Sequence, residues 1–139
     1  MNFLTTDDYK AVCDELEFST LQADEDFRLQ AEQTAIEQIK SYCRPRYDMD
    51  TEFAKTGTDR HPMLIQCTVN IALWIMHHRL PSAMGAERRR EAYDDTIDWL
   101  KQVQLSKASP TFRTYDTETE TDTHNPVAWG SQKQTSCTW

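Results

Sequence analysis

Glycine is scarce in this chain of 139 residues: only Gly57, Gly85 and Gly130 occur. A loop that cradles phosphate needs closely spaced glycines, and the sequence contains no motif of a P-loop, a serine hydrolase or a zinc protease. Long apolar runs are also missing. The best candidate, 63–76, includes polar side chains and is shorter than the roughly 20 residues of a transmembrane helix. These absences argue against a nucleotide-binding enzyme and against a membrane-spanning protein.

Basic residues are also few compared with acidic ones. The chain has 15 Lys and Arg against 23 Asp and Glu, which gives a net charge of −8. Such a surface neutralises neither DNA phosphates nor an anionic membrane. Residues 1–55 hold 6 basic and 13 acidic side chains, so this third of the chain carries most of the negative charge.

Side chains that could ligate metal or perform catalysis do not converge in the sequence. His77 and His78 are adjacent, so on a helix they point about 100° apart and do not share one metal. Asp94, Asp95 and Asp98 lie in an arginine-rich stretch that is typical of a solvated helix face. We therefore expect no enzyme activity, no metal and no cofactor. The four cysteines, which form no C-x-x-C pair, are expected to be free and mostly buried thiols: Cys13, Cys43, Cys67 and Cys137.

Prolines and capping residues divide the chain into helical blocks. A first short helix is predicted after Thr5 or Thr6, and a second begins near Asp24 and ends before Pro45. Residues 48–60 are predicted to be a polar connector. A buried central helix starts at Pro62, and a last helix spans about 86–107, with an inner stripe of Tyr93, Thr96, Ile97, Leu100 and Val103. The predicted fold of residues 1–110 is all-α, a small antiparallel bundle of about four helices.

The remaining residues, 111–139, differ in kind. Between Asp116 and Thr123, acids and threonines alternate strictly, which is the period of a strand. We interpret this segment as an extended tail, either a β-hairpin or a strand added to a neighbouring molecule, with Trp129 and Trp139 as aromatic anchors. The alternative is a plain disordered tail.

Basic residues cluster at one place, Arg88-Arg89-Arg90. Their simplest role is to counter the acidic N-terminal third within the molecule. The alternative is a contact between subunits, and Arg44 and Arg46 could act in the same way. These five arginines, with the two tryptophans of the tail, form the candidate partner interface.

The order of the helical blocks resembles a known phage family. One helix ends in Ile39-Lys40-Ser41-Tyr42 and is followed by Arg46-Tyr47; the apolar helix opens with Pro62-Met63-Leu64-Ile65; the last helix contains Glu91-Ala92-Tyr93 and leads to Lys107. Over roughly residues 3–110 this is similar to the helical head–tail connector (head-completion or adaptor) proteins of long-tailed phages, notably the Mu-type group. That family usually has glycine where this chain has Ser106.

The resemblance implies a structural virion protein without an active site. Its subunits would form a ring, twelve-fold in the family, beneath the portal protein, and the ring would contact the tail or a stopper protein. Viral DNA would pass through the lumen without specific binding, and the location would be the virion neck, assembled in the host cytoplasm, with no membrane contact. The alternatives are a non-viral helical protein–protein interaction module and, less favoured by the residues, an enzyme subunit.

Overall fold

The computed structural model describes residues 2–13, 18–19, 24–78 and 86–115. Within these ranges, the secondary structure is helical, as predicted. The helices are α1 (Thr6–Lys10), α2 (Glu25–Cys43), α3 (Met49–Ala54), α4 (Pro62–His77) and α5 (Ala86–Gln104), with a 3₁₀ turn at Gly57–Asp59. None of the helices described is long and apolar enough to cross a membrane.

Helix α4 forms the centre of the bundle. Its buried side chains surround the helix on nearly every side: Leu64, Cys67, Thr68, Val69, Asn70, Ile71, Ala72, Leu73, Met76 and His77. Such a helix is stable in water only when other elements cover it. Helices α2 and α5 provide most of this cover. The predicted inner stripe of α5 is confirmed, since Thr96, Leu100 and Val103 are buried.

Contacts between side chains give the directions of the three long helices. Along α4 and α5, Asn70 donates to the Thr96 hydroxyl at 3.0 Å, and Trp74 stacks on Tyr93 at 5.8 Å. The paired numbers run in opposite order, so these helices are antiparallel. Gln38 of α2 also reaches Tyr93, at 3.2 Å. Just after the end of α2, Arg46 donates to the carbonyl of Val103, which lies ten residues beyond Tyr93 on α5. The paired numbers here rise together, so α2 runs parallel to α5 and antiparallel to α4.

The predicted helix starts are confirmed by their caps. The Asp24 carboxylate accepts a hydrogen bond from the Phe27 N–H at 3.1 Å, and acids follow in the first turn of α2. Pro62 occupies the first turn of α4, where its missing N–H is not needed. The cap of α4 is the His61 imidazole, whose Nδ1 accepts from the Met63 N–H at 3.2 Å.

The prediction of a polar connector over residues 48–60 is wrong in its first half. Helix α3 lies there, capped by the Asp48 carboxylate, which accepts from the Thr51 N–H at 3.3 Å. Met49 and Glu52 are buried on its inner side. Six residues are too few to display a helical period, and only tertiary contact shows which side chains are inside.

The chain after α5 returns to the bundle. Phe112 is 5% exposed and packs against Tyr47 and His61, with ring centroids at 5.4 Å and 4.7 Å. The buried Glu52 carboxylate accepts from the Arg113 N–H at 2.8 Å, and Thr114 pairs with Tyr47 in an isolated antiparallel bridge. Residues 112–114 therefore pack against the bundle, and the predicted division of the chain at residue 110 stays a prediction. The rest of the predicted tail, 116–139, lies outside the described residues.

Two ion pairs shielded from solvent attach the N-terminal segment to the bundle. The Glu32 carboxylate in α2 accepts from the Arg28 guanidinium at 2.9 Å and from the Tyr9 hydroxyl of α1. Burial raises the pKa of Glu32, and the hydrogen bonds from Tyr9 and Arg28 lower it. The effect of burial is larger, so the pKa lies above its usual value. In the second pair, Arg60 donates to Asp8 at 2.7 Å and to the Phe3 carbonyl at 2.8 Å. Burial raises the pKa of Asp8, but the hydrogen bonds from Arg60 and Thr5 outweigh it and lower the pKa.

The end of α5 has a backbone conformation that favours glycine at position 106. Ser106 has φ = 65°, in the left-handed region. The Lys107 N–H donates to the Gln102 carbonyl at 2.8 Å and the Ser106 N–H to the Val103 carbonyl at 3.1 Å, the two bonds of a Schellman motif. Glycine adopts this conformation without the steric cost that serine meets.

Ser106→Gly should therefore stabilise the protein. Glycine removes the steric cost of the left-handed conformation but also raises the conformational entropy of the unfolded chain, which lowers stability. Because the first effect is larger, we expect a gain of about 0.5–1 kcal/mol in the free energy of unfolding. Urea denaturation measures it, with Ser106→Ala as the control that keeps the Cβ atom. Equal stability of the Gly and Ala variants would contradict this explanation.

Arg28→Met should leave the Glu32 carboxylate buried beside α1 without its cation. Because an uncompensated buried charge is costly, we expect a loss of about 3 kcal/mol in the free energy of unfolding. The double variant Arg28→Met/Glu32→Met should recover part of that loss. As a contrast, Arg44→Met removes the partner of Glu37 in an exposed ion pair and should change stability little. Similar losses at both sites would refute the distinction.

Candidate interaction surfaces

Two of the five candidate interface arginines are used inside the molecule. Arg89 is 2% exposed, and its guanidinium donates to the Val12 carbonyl at 3.2 Å. Arg46 is half-buried. It donates to the Val103 carbonyl at 3.0 Å and lies over the Tyr47 ring at 5.1 Å. Both therefore join distant segments of one chain through backbone carbonyls.

The other three arginines are on the surface. Arg88 and Arg90 are exposed on α5, and Arg90 lies 3.9 Å from Asp94. Arg44 is exposed after α2 and donates to Glu37 at 3.0 Å. Exposed pairs of this kind contribute little stability, so these guanidinium groups can exchange partners at small cost. Trp129 and Trp139 lie outside the described residues.

A groove of about 400 Å³ lies between α4 and α5 beside the segment that follows α1. Its lining is mixed, with Met63 and Trp99 as apolar residues and Gln66, Asn70 and Arg88 as polar ones. Asn70 is already paired with Thr96. The groove brings Arg88 and Arg89 together with α4, which the sequence did not predict.

A second surface lies where α2 and α5 end, and we call it the exit end: Arg44, Arg46, Leu105, Lys107 and Tyr115. The Tyr115 hydroxyl donates to the Arg44 carbonyl at 2.6 Å, and the bond from Arg46 to Val103 holds the turn after α5 nearby. Leu105 is 63% exposed and Tyr115 is 40% exposed. The sequence named Arg44 and Arg46 as candidate interface residues but did not single out Leu105 or Tyr115. Leu105 falls outside the predicted inner stripe of α5 and is therefore an apolar residue without a predicted partner.

The residues considered for chemistry are separated in the structure. His77 is buried in α4, whereas His78 is exposed and packs edge-on against Trp74. Asp94, Asp95 and Asp98 are exposed, as a solvated helix face requires. Within the described part of the chain, no three His, Cys, Asp or Glu side chains are grouped so that they could hold a metal ion.

Three of the four cysteines confirm the expectation of free, buried thiols: Cys13, Cys43 and Cys67. Burial raises the pKa of Cys43 to about 11 and that of Cys67 to about 12. Such thiols are almost entirely protonated at neutral pH and are poor nucleophiles. Cys137 lies outside the described residues.

His61 connects the start of α4 to the segment that leads to the exit end. Since Nδ1 accepts from the Met63 N–H, the ring proton lies on Nε2, which donates to the Thr111 hydroxyl at 2.9 Å. Burial lowers the pKa of His61 below 6.5, Glu52 raises it and Lys55 lowers it further. Protonation would remove the Nδ1 acceptor and place a positive charge at a helix N-terminus.

Stability should therefore fall as the solution becomes acidic. Above pH 6.5 the imidazole is neutral in both states; below it, the unfolded chain takes up the proton first, so the contribution of His61 is lost as the pH falls through the folded-state pKa. We expect wild-type protein to lose more stability between pH 7.5 and 5 than His61→Asn, which keeps an N-cap but does not titrate. Urea denaturation measures this, with His78→Asn as control. Parallel pH profiles for wild type and His61→Asn would exclude this role.

The comparisons with known proteins place the chain in a family. No curated protein and no solved structure matches it. The family model described as "Bacteriophage Mu, Gp36" matches residues 2–128, which is nearly the whole chain and extends beyond the described helices. The chain belongs to the bacteriophage Mu Gp36 family and is a phage protein.

Proposed function

We propose that this protein is a head–tail connector subunit, a structural component of the virion neck. Copies would form a ring, twelve-fold, beneath the portal protein, extend the DNA channel and present a platform for the tail or stopper protein. The observation that carries the proposal is membership of the phage Mu Gp36 family over residues 2–128, together with the resemblance of the helical blocks to connectors. The same membership disfavours the non-viral interaction module.

The charge of the described surface suits this role. The outer residues of α2 and α5 include many exposed acids: Glu25, Asp26, Glu37, Glu87, Glu91, Asp94, Asp95 and Asp98. A channel wall of this charge would let DNA pass without binding it, because phosphates are repelled. The proposed activity is therefore assembly, with no reaction catalysed and no cofactor.

The surface basic residues are the proposed contacts with the portal or with the next subunit. In the structure, Arg89 is enclosed, so Arg88 and Arg90 are the members of the basic run that a partner could reach. Head-to-tail rings need two different complementary faces on each subunit.

Light scattering of the full chain, alone and mixed with the portal protein of the same phage, tests the proposal. We expect a complex with many copies of the chain per portal assembly. Arg88→Glu/Arg90→Glu should reduce the number of bound copies without changing the helical circular dichroism. The control is Lys10→Glu/Gln30→Glu/Gln33→Glu, which adds the same negative charge at exposed positions of α1 and α2. A wild-type chain that ignores the portal would overturn the proposed function.

A further inference from the structure

The exit end has the composition of a protein interface. Among the described residues, the two large hydrophobic side chains that stand exposed are Leu105 and Tyr115, and both lie on this surface. Tyrosine and arginine are enriched where proteins bind one another, and exposed apolar groups ringed by polar ones mark such sites. The surface is therefore a candidate for binding another polypeptide segment.

The positive charge of the exit end favours an acidic partner segment. Arg44, Arg46 and Lys107 are positive. Of the acids nearby, Glu37 pairs with Arg44, and Asp50 also attracts Arg44 but is paired with Lys40. A net positive patch is unusual on a chain whose net charge is −8. It matches a partner that carries acids at regular intervals together with aromatic or aliphatic side chains.

The chain itself contains such a segment, and it begins at this surface. Residues 116–139 directly follow Tyr115, and their acids are Asp116, Glu118, Glu120 and Asp122 against a single basic residue, Lys133. Two of the four tryptophans of the chain follow, at 129 and 139. Twenty-four residues are enough to reach a neighbouring molecule, since an extended chain covers about 3.3 Å per residue.

The sequence of this segment favours a neighbouring molecule over its own exit end. From Asp116 to Thr123 the strict alternation predicts an extended strand, and no glycine or proline occurs before Pro126. Eight extended residues cover roughly 26 Å. An acidic part extended in this way would lead away from the surface where it starts, before the first residues that favour a reversal.

We infer that the acidic segment 116–123 of one copy docks on the exit end of the next copy. Its carboxylates lie against Arg44 and Lys107, and its following apolar residues cover Leu105 and Tyr115. Each subunit donates one segment and receives another, a heterologous contact that closes into a ring. This inference rests on the proposed function only in that both require copies of the chain to associate.

Charge exchange in the full chain tests the contact. The exit-end variant is Arg44→Glu/Lys107→Glu, at two exposed residues. The segment variant is Asp116→Lys/Glu118→Lys/Glu120→Lys/Asp122→Lys, which changes no residue of helices α1–α5. A third variant combines all six substitutions. The control is again Lys10→Glu/Gln30→Glu/Gln33→Glu, which matches the charge change of the exit-end variant.

The measurement is the association constant from light scattering over a range of protein concentrations at low salt. Each single-surface variant should associate at least about tenfold more weakly than wild type, because like charges then meet at the contact. The combined variant, and an equimolar mixture of the two single-surface variants, should regain association to within about threefold of wild type. The control should match wild type.

Three results would overturn the inference: a wild-type chain that stays monomeric, reversals that leave association unchanged, or a combined variant that does not recover. If reversals have no effect while copies still assemble on the portal, this contact is wrong and the connector proposal stands. If the wild-type chain neither self-associates nor binds the portal, both fail. The two failures are thus distinguishable.

Discussion

The central helix imposes the main constraint on this fold, because α4 is apolar on nearly every side and must be enclosed. Helices α2 and α5 cover most of it, and α1 adds a smaller contact. Two of the polar side chains that α4 brings inside are hydrogen-bonded, one within the helix and one across to α5. Thr68 donates to the Leu64 carbonyl at 2.6 Å, and Asn70 pairs with Thr96 of α5. The other helices pack around α4 because nearly all of its surface is apolar and is more stable when it is removed from water.

Arginine side chains close the structure around that core. The guanidinium groups of Arg46, Arg60 and Arg89 each donate to a backbone carbonyl far away in sequence, and Arg28 pairs with a buried carboxylate. Arginine suits this task because its fork offers several donors while its stem packs against apolar surface. Since the chain has few basic residues, this internal use leaves the surface still more acidic. The remaining positive patch at the exit end stands out for that reason.

Family membership and surface chemistry together suggest how the protein works. This member of the phage Mu Gp36 family has a helical body with many exposed acids and a basic, partly apolar exit end, which comes directly before the acidic segment 116–123 in the sequence. Assembly by mutual exchange of that segment would connect copies without rearranging the helices, so the body could stay rigid.

The sequence alone determined what depends on local pattern. Asp24, Pro62 and the stripe through Leu100 and Val103 fix where helices begin and which side is inside, because caps and periodicity act between near neighbours. Even Ser106 could be singled out from the family resemblance, although its left-handed backbone emerged only from the structure.

Tertiary structure decided what depends on distant partners. Residues 49–54 form helix α3, Phe112 is buried in the core, and the Glu52 carboxylate accepts a hydrogen bond from the Arg113 N–H. Tertiary structure also turned Arg89 inward and left Arg88 and Arg90 outside, although the three are consecutive and chemically identical. A sequence shows which side chains carry charge, but burial and pairing depend on groups that only folding brings within a few ångströms.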